Sequence, residues 1–308
     1  MELEFEKWAL GLNDLEEEAT HFLIRAFLVE QAITMFYGRE KQGKSWLMYA
    51  ITHLLCEHER VKKVFYVDQD NPKRQLKERR IDVLIGQYPE KLRYLARGST
   101  PLQGLDLVDT FVKPAVMDAY TGYVFIFDST RDFVDRTDSD VQAKRFMENM
   151  KRLRDAGATV LLVHHATKSG RAIDGSAEFT KSADNVYEVL QRGKDGNSIQ
   201  FEVPVYRDRD AIKDMLISVD TTRLQLLVED DTYFGVKKED EDFVLQVCTV
   251  LARNVQGLTQ TAVLEACGYR RDDKTKRKLL QEYIDRFWTG EKIRGQKIFT
   301  LLNKESVT

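Results

Sequence analysis

The densest chemistry in the chain lies in Phe-Tyr-Gly-Arg-Glu-Lys-Gln-Gly-Lys-Ser-Trp, residues 36 to 46. Gly38, four further residues and then Gly43-Lys44-Ser45 satisfy the pattern G-x-x-x-x-G-K-[ST]. Each position has a physical reason. The glycines let the backbone curl so that its N–H groups point inward at phosphates. The lysine reaches the β and γ phosphates, and the hydroxyl ligates Mg²⁺. At average residue frequencies such a match arises by chance in roughly one chain in a hundred of this length. A metal held this way needs a second carboxylate. Tyr-Val-Phe-Ile-Phe-Asp-Ser, residues 123 to 129, supplies Asp128 at the end of an apolar run. Two of the five histidines, His164 and His165, stand together at the end of another.

These residues need a scaffold that brings strand ends together. Residues 31 to 37 read as a buried strand ending at Gly38, and an apolar-rich helical pattern follows Ser45. Val-Lys-Lys-Val-Phe-Tyr-Val-Asp-Gln and Tyr-Val-Phe-Ile-Phe-Asp-Ser give two more strands. A helix follows, in which Phe146, Met150 and Leu153 recur at three to four residues, and then the strand Ala-Thr-Val-Leu-Leu-Val-His-His. Strands alternating with helices imply βαβ units in an α/β fold with a mostly parallel sheet and flanking helices. Ligands of such sheets collect at the carboxyl ends of the strands, where Asp128 stands. Further on, Asn-Ser-Ile-Gln-Phe-Glu-Val-Pro-Val-Tyr and residues 213 to 228 read as antiparallel edge strands or hairpins.

The chain has 308 residues, enough for one large or two ordinary domains. It is 43% hydrophobic and 31% charged with a net charge of −3, so only local charge can argue for nucleic acid. Cys56, Cys248 and Cys267 are far apart, which argues against a disulfide framework or zinc site. No leader opens the chain and no apolar run approaches a membrane span, so the expected compartment is the cytoplasm and no membrane partner is expected.

Composition changes at the charged stretch 236 to 243, which could be a linker or a helix start. Beyond it come three short helical patterns and then an alternating segment, residues 287 to 302, with Gly290 and Gly295 in its turn region. From Gly268 to Thr308, eleven Lys/Arg face six Asp/Glu, a net +5. Three helices and a glycine-containing hairpin resemble a small C-terminal winged helix-turn-helix domain. Lys274, Lys276, Arg277 and Lys278 would open its recognition helix, and Lys292, Arg294 and Lys297 would populate the wing. A protein-docking role for this domain stays open.

The ordered set of motifs resembles the RecA-fold ATPases, in particular the branch of RepA-type hexameric replicative helicases, over about residues 20 to 230. It comprises the phosphate loop, a carboxylate before Asn71-Pro72, Asp128, the His-His pair, a Lys/Gly loop, a Gly-Ser and a later Asp. The resemblance implies ATP and Mg²⁺, with Lys44, Ser45, Gly38 and Gly43 on the nucleotide and Asp128 as the Walker B aspartate. Asp70 falls where the family has a catalytic glutamate that activates water, and it is one methylene shorter; Asp68 is its rival. His165 matches the polar sensor of the γ-phosphate, with His164 as the adjacent alternative. Lys168 and Arg171 lie in the loop implied to track single-stranded DNA. Arg207 and Arg209 match a Lys/Arg-x-Arg element that enters a neighbouring subunit's site; a salt-bridged hairpin tip is the alternative.

The organisation expected is a segment over residues 1 to 30 packing on the core or a neighbouring subunit, a RecA-like core over 31 to 235, and the winged-helix domain over 236 to 308. The function expected is an ATP-dependent, ring-forming DNA helicase or translocase, a hexamer, in replication of a phage, plasmid or mobile element. Its partners would be single-stranded DNA and, through the C-terminal domain, duplex DNA. A nucleotide-switched DNA-binding regulator or loader without unwinding is the alternative. A filament-forming recombination mediator and a small-molecule kinase explain fewer of these residues.

Overall fold

The computed structural model describes residues 20–167, 169–170, 172–229, 236, 238–293 and 295–302. Lys168, Arg171 and Arg294 therefore lie outside the described residues. The chain divides into two compact units, Met1–Asp231 and Thr232–Thr308.

In the first unit β1 (Phe22–Ile24) and β2 (Leu28–Val29) form a short antiparallel pair. There follow β3 (Ile33–Gly38), α1 (Lys44–Glu57), β4 (Lys63–Asp68), α2 (Lys73–Glu78), α3 (Ile81–Gln87), β5 (Leu92–Ala96) and α4 (Gly104–Val112). Then come β6 (Tyr123–Asp128), α5 (Asp140–Asp155), β7 (Thr159–His165), α6 (Glu178–Ser182) and β8 (Asn185–Glu188). The unit closes with β9 (Leu190–Asp195), β10 (Ser198–Val203), β11 (Val205–Arg207), β12 (Met215–Asp220) and β13 (Gln225–Val228).

Seven of these strands make one sheet in the order β11-β8-β3-β7-β6-β4-β5. All neighbours run parallel except β11, which lies antiparallel on β8. Parallel strands covered on both faces are continuously apolar, and β3 is buried at every residue. One face packs on α1 and the four-stranded antiparallel sheet β13-β12-β10-β9. The other packs on α4 and α5 through Phe125, Phe127, Phe146 and Leu162. Helix α1 is buried almost all round, so it shows little amphipathic patterning. Helix α5 shows a single apolar stripe, Ala143, Phe146, Met147, Met150 and Leu153, and Ser139 caps it by accepting from Gln142 N–H at 3.4 Å.

The segment 197 to 206 forms antiparallel strands, as expected, and it breaks at Pro204, which has no N–H to donate. On one side β10 joins the antiparallel sheet, and on the other β11 returns to the main sheet. Strands β5 and β8 had no signal of their own, being short and interrupted by polar residues.

The second unit comprises α7 (Glu241–Ala252), β14 (Leu258–Thr259), α8 (Gln260–Ala266), α9 (Lys274–Glu282), β15 (Trp288–Ile293) and β16 (Gln296–Leu301). The strands form an antiparallel sheet in the order β14-β16-β15. The charged stretch before α7 is a helix start, with a short 3-10 turn at Lys238–Asp240 and acids in the first turn of α7. Phe243, Val247, Leu280, Trp288 and Phe299 form its core, and the Trp288 indole N–H donates to the Leu280 carbonyl at 2.9 Å. Gly290 is not in the turn. It lies inside β15, paired with Phe299, and a Cβ there would come within 2.8 Å of Ile284. Gly295, at φ +84°, lies in the turn.

Candidate nucleotide site

The sheet register lines up the chemistry. Gly38 at the end of β3 pairs with His165 at the end of β7, and Asp68 at the end of β4 pairs with Asp128 at the end of β6. These ends border a cavity of about 520 Å³, lined by Gly43, Lys44, Ser45, Asp70, Asp128 and His165, among others.

The two motif glycines are required for different reasons. Gly43 caps α1 at φ +76°, and a Cβ there would lie 3.1 Å from the Phe201 ring. Gly38 has an ordinary backbone, but a Cβ there would come within 2.6 Å of the Val189 carbonyl oxygen. Close approach, not conformation, demands glycine at Gly38. The first turn of α1 leaves N–H groups without helical partners, aimed with the positive end of the helix dipole at the cavity. The Lys44 ammonium donates to the carbonyls of Gly38 at 2.8 Å and Arg39 at 2.9 Å. Burial lowers it to about 8, against the opposing pull of Asp128 and Glu40.

The rivals Asp68 and Asp70 separate cleanly. Asp68 is fully buried and spent on structure: Oδ1 accepts from the N–H groups of Asp70 and Asn71, and Oδ2 accepts from the Tyr94 hydroxyl at 2.6 Å. Asp70 lies on the turn so formed, and its exposed carboxyl opens to the cavity. Partial enclosure, then Asp132, raise it above the usual carboxylate range. Asp128 accepts at Oδ2 from the Tyr66 hydroxyl at 2.7 Å, and burial beside Asp68 raises it strongly. A hydroxyl at Ser45 and a carboxylate at Asp128, both lining the cavity, are hard oxygen donors that fit Mg²⁺. Among the described residues no group of three His, Cys, Asp or Glu could hold a metal by itself.

Strand alternation sends the two histidines to opposite faces. His164 is buried against Phe179. Its Nε2–H donates to the Asp174 carbonyl at 2.6 Å, so Nδ1 accepts from the Thr130 hydroxyl. His165 lines the cavity, with both ring nitrogens buried and free of hydrogen bonds. Burial, then the Lys44 charge, push it down to about 4, so it is neutral at physiological pH.

A family described as "AAA domain" matches residues 2–171, more than half of the chain and all of the phosphate loop, Asp70, Asp128 and His165. The chain belongs to that AAA-domain family. Curated proteins yield no match. Among solved structures it is similar to one described as an ATPase domain, at 10% identity and a TM-score of 0.50 over 65% of this chain and 86% of that one. Flagellar accessory protein FlaH from Methanocaldococcus jannaschii shares 14% identity at a TM-score of 0.47, over 65% of this chain and 90% of FlaH. Family, sheet and loop together make this a P-loop ATPase of RecA-like fold.

Other residues of this AAA-domain ATPase stand apart from the cavity. Arg207 donates to the Thr180 carbonyl at 2.7 Å, and Arg209 pairs with Asp184 at 3.1 Å. Asp184 also accepts from Ile33 N–H, at the start of β3, so this cluster sits at the end of the strand opposite Gly38. In the second unit Lys274, Lys278 and Lys292 are exposed. Lys276 lies over the Phe243 and Tyr269 rings at 5.0 and 5.1 Å, Arg277 donates to the Arg271 carbonyl, and Lys297 donates to Gln281 Oε1.

Sequence reasoning missed several cavity residues. Arg79 donates to Asn71 Oδ1 at 3.1 Å, Arg131 follows Asp128 on a 3-10 turn, and Gln191 and Lys194 come from β9. None belongs to a motif: the turn directly after Asp128 brings Arg131 in, and topology brings in the others. Gln191 also ties β9 to the phosphate loop, its N–H donating to Gln42 Oε1 at 2.6 Å. Arg39 likewise ties that loop to the Ser169 carbonyl in the loop after β7. Among the described residues no helix is long and apolar enough to cross a membrane.

Proposed function

We propose that this ATPase is an ATP-driven DNA helicase or translocase of the RepA-type branch, working as a hexameric ring in replication of a phage, plasmid or mobile element. The observation that carries the reading is the meeting of Lys44, Ser45, Asp128, His165 and an available Asp70 around one cavity. In this reading Lys44 and the first turn of α1 bind the phosphates of ATP. Ser45 and Asp128 hold Mg²⁺, which would offset charge on the phosphates. Asp70 orients the attacking water and accepts its proton. Neutral His165 senses the γ-phosphate, and the hydrogen bonds of His164 to Thr130 and Asp174 support a link from this edge to the following loop. Lys168 and Arg171 in that loop contact single-stranded DNA.

Arg209, with Arg207 beside it, serves as the arginine finger of a neighbouring subunit, which would free it from Asp184. Residues 1 to 30 pack on the core or a neighbour, residues 31 to 235 are the motor, and residues 236 to 308 are a winged helix. Three helices with a three-stranded antiparallel sheet support that last assignment. Lys274, Lys276, Arg277, Lys278, Lys292 and Arg294 would meet duplex DNA or a partner there, with Lys276 first leaving its aromatic seat.

The test is ATP-dependent displacement of a strand from a tailed duplex. Wild type should displace it and Lys44→Ala should not. A nucleotide-switched regulator or loader is the second reading, favoured by the shorter reach of Asp70; DNA binding and turnover with no strand displaced would select it.

A further inference from the structure

We propose that Arg131 is a phosphate-binding cation of this chain's own site, parked on Glu40 until a nucleoside triphosphate replaces that carboxylate as its partner. The inference rests on the cavity being a nucleotide site, and it goes beyond the arginines assigned to a neighbouring subunit.

The backbone around Arg131 is fixed. Thr130, fully buried, meets His164, and the Ser129 hydroxyl donates to Asp132 at 2.7 Å. Phe133 packs on Phe127 and Phe146 with ring centroids at 5.2 and 5.9 Å. From this anchored turn the Arg131 side chain reaches the phosphate loop itself. Its guanidinium lies 3.2 Å from Oε1 of Glu40, which stands between Gly38 and Gly43. Arg131 and Glu40 both line the cavity shared with Lys44, Asp128 and His165.

The pair is built to exchange. Its side chains are 43% and 66% exposed, so water screens the attraction and little holds it closed. A guanidinium bound to phosphate makes two parallel charge-assisted hydrogen bonds, which are stronger and directional. Among the described residues the other arginine lining the cavity, Arg79, is committed to Asn71 and the Tyr49 hydroxyl. The Arg131 charge is also felt at the right groups: it contributes to the lowered values of Lys44 and His165 and opposes the rise at Asp70. A cation placed so would distinguish a triphosphate, which brings negative charge beyond Lys44, from a diphosphate, which does not.

The experiment measures binding of a fluorescent non-hydrolysable ATP analogue and of fluorescent ADP to full-length wild type, Arg131→Ala, Glu40→Gln and the double variant. Arg131→Ala should weaken the triphosphate about tenfold or more and the diphosphate less than about threefold. Glu40→Gln should tighten the triphosphate about two- to fivefold, because it removes the competing carboxylate. In the Arg131→Ala background Glu40→Gln should change triphosphate affinity less than it does in wild type, since what is left of Glu40 there is its screened charge near Lys44 and His165. Equal losses for both nucleotides, or no loss in Arg131→Ala, would overturn the inference, as would weakening by Glu40→Gln. If wild type bound neither nucleotide, or Lys44→Ala bound them as wild type does, the nucleotide reading would fall along with it.

Discussion

Lys44 has two partners available, and the choice between them sets a pH dependence. Without nucleotide it bonds the Gly38 and Arg39 carbonyls, and burial holds it at about 8. Bound phosphates favour its charged form and raise it. Binding therefore requires proton uptake above about pH 8, while below that value Lys44 is already charged. Nucleotide affinity should fall by up to about tenfold per unit above about pH 8; below that value the carboxyl of Asp128, raised to about 7 by burial and Asp68, is the group that titrates. Titrating a fluorescent nucleotide at several pH values checks this, and a flat profile to about pH 9.5 would contradict it. Asp70 gives a second test. Asp70→Asn should keep nucleotide affinity within about twofold and cut turnover by about 10² or more. Asp70→Glu restores the missing methylene and should raise turnover several-fold; unchanged turnover in both variants would move the base elsewhere. The phosphate loop and Asp128 stood out in the sequence because the roles proposed for them, contact with phosphate and metal, fix residue type and spacing together. Arg79 and Lys194 did not, because a cation that reaches a site through topology leaves no pattern along the chain; Arg131, three residues after Asp128, carried no motif of its own.

At the scale of elements, the ends of β4 and β6 act as a unit. Asp68 never meets the cavity, yet it shapes the turn that presents Asp70, through its bonds to two backbone N–H groups, Asn71 and Tyr94. Asp68→Ala should cost about 2–4 kcal/mol of stability, since buried donors lose a charged acceptor. It should also lower turnover far more than nucleotide affinity, because the phosphate loop is untouched. Chemical denaturation and paired binding and turnover assays check both parts. An equal fall in affinity and turnover would mean Asp68 supports the whole cavity instead. Residue order alone could not choose between Asp68 and Asp70. Burial favours Asp70, because Asp68 is enclosed and bonded to Tyr94 of the unanticipated strand β5. The central strands, long and apolar, were readable for the converse reason: each carries its own signal. Pro204 was also visible, but its effect of sending β10 and β11 to different sheets needed the pairing partners.

At the scale of the whole molecule, the parallel strands gather Gly38, Asp70, Asp128 and His165 at one edge, while Arg207 and Arg209 lie with Asp184 at the other end of β3. The finger role proposed for Arg209, so far from its own cavity, requires another copy. Arg209→Ala mixed into wild type should therefore depress turnover more than in proportion to its fraction, and a linear titration would leave Arg209 as a fold-stabilising partner of Asp184. The composition changes at residues 236 to 243, and the two units divide just before that stretch, at Asp231; the net +5 of the last forty-one residues drew attention to nucleic acid. Where a strand of DNA would run was not legible, since Lys168 and Arg171 lie outside the described residues. The central claim, that hydrolysis at Lys44 and Asp128 is used to move along DNA, is tested most directly by steady-state ATP hydrolysis with and without single-stranded DNA. Stimulation of about tenfold or more, lost in Lys44→Ala, is expected. Slow hydrolysis indifferent to DNA would contradict that claim.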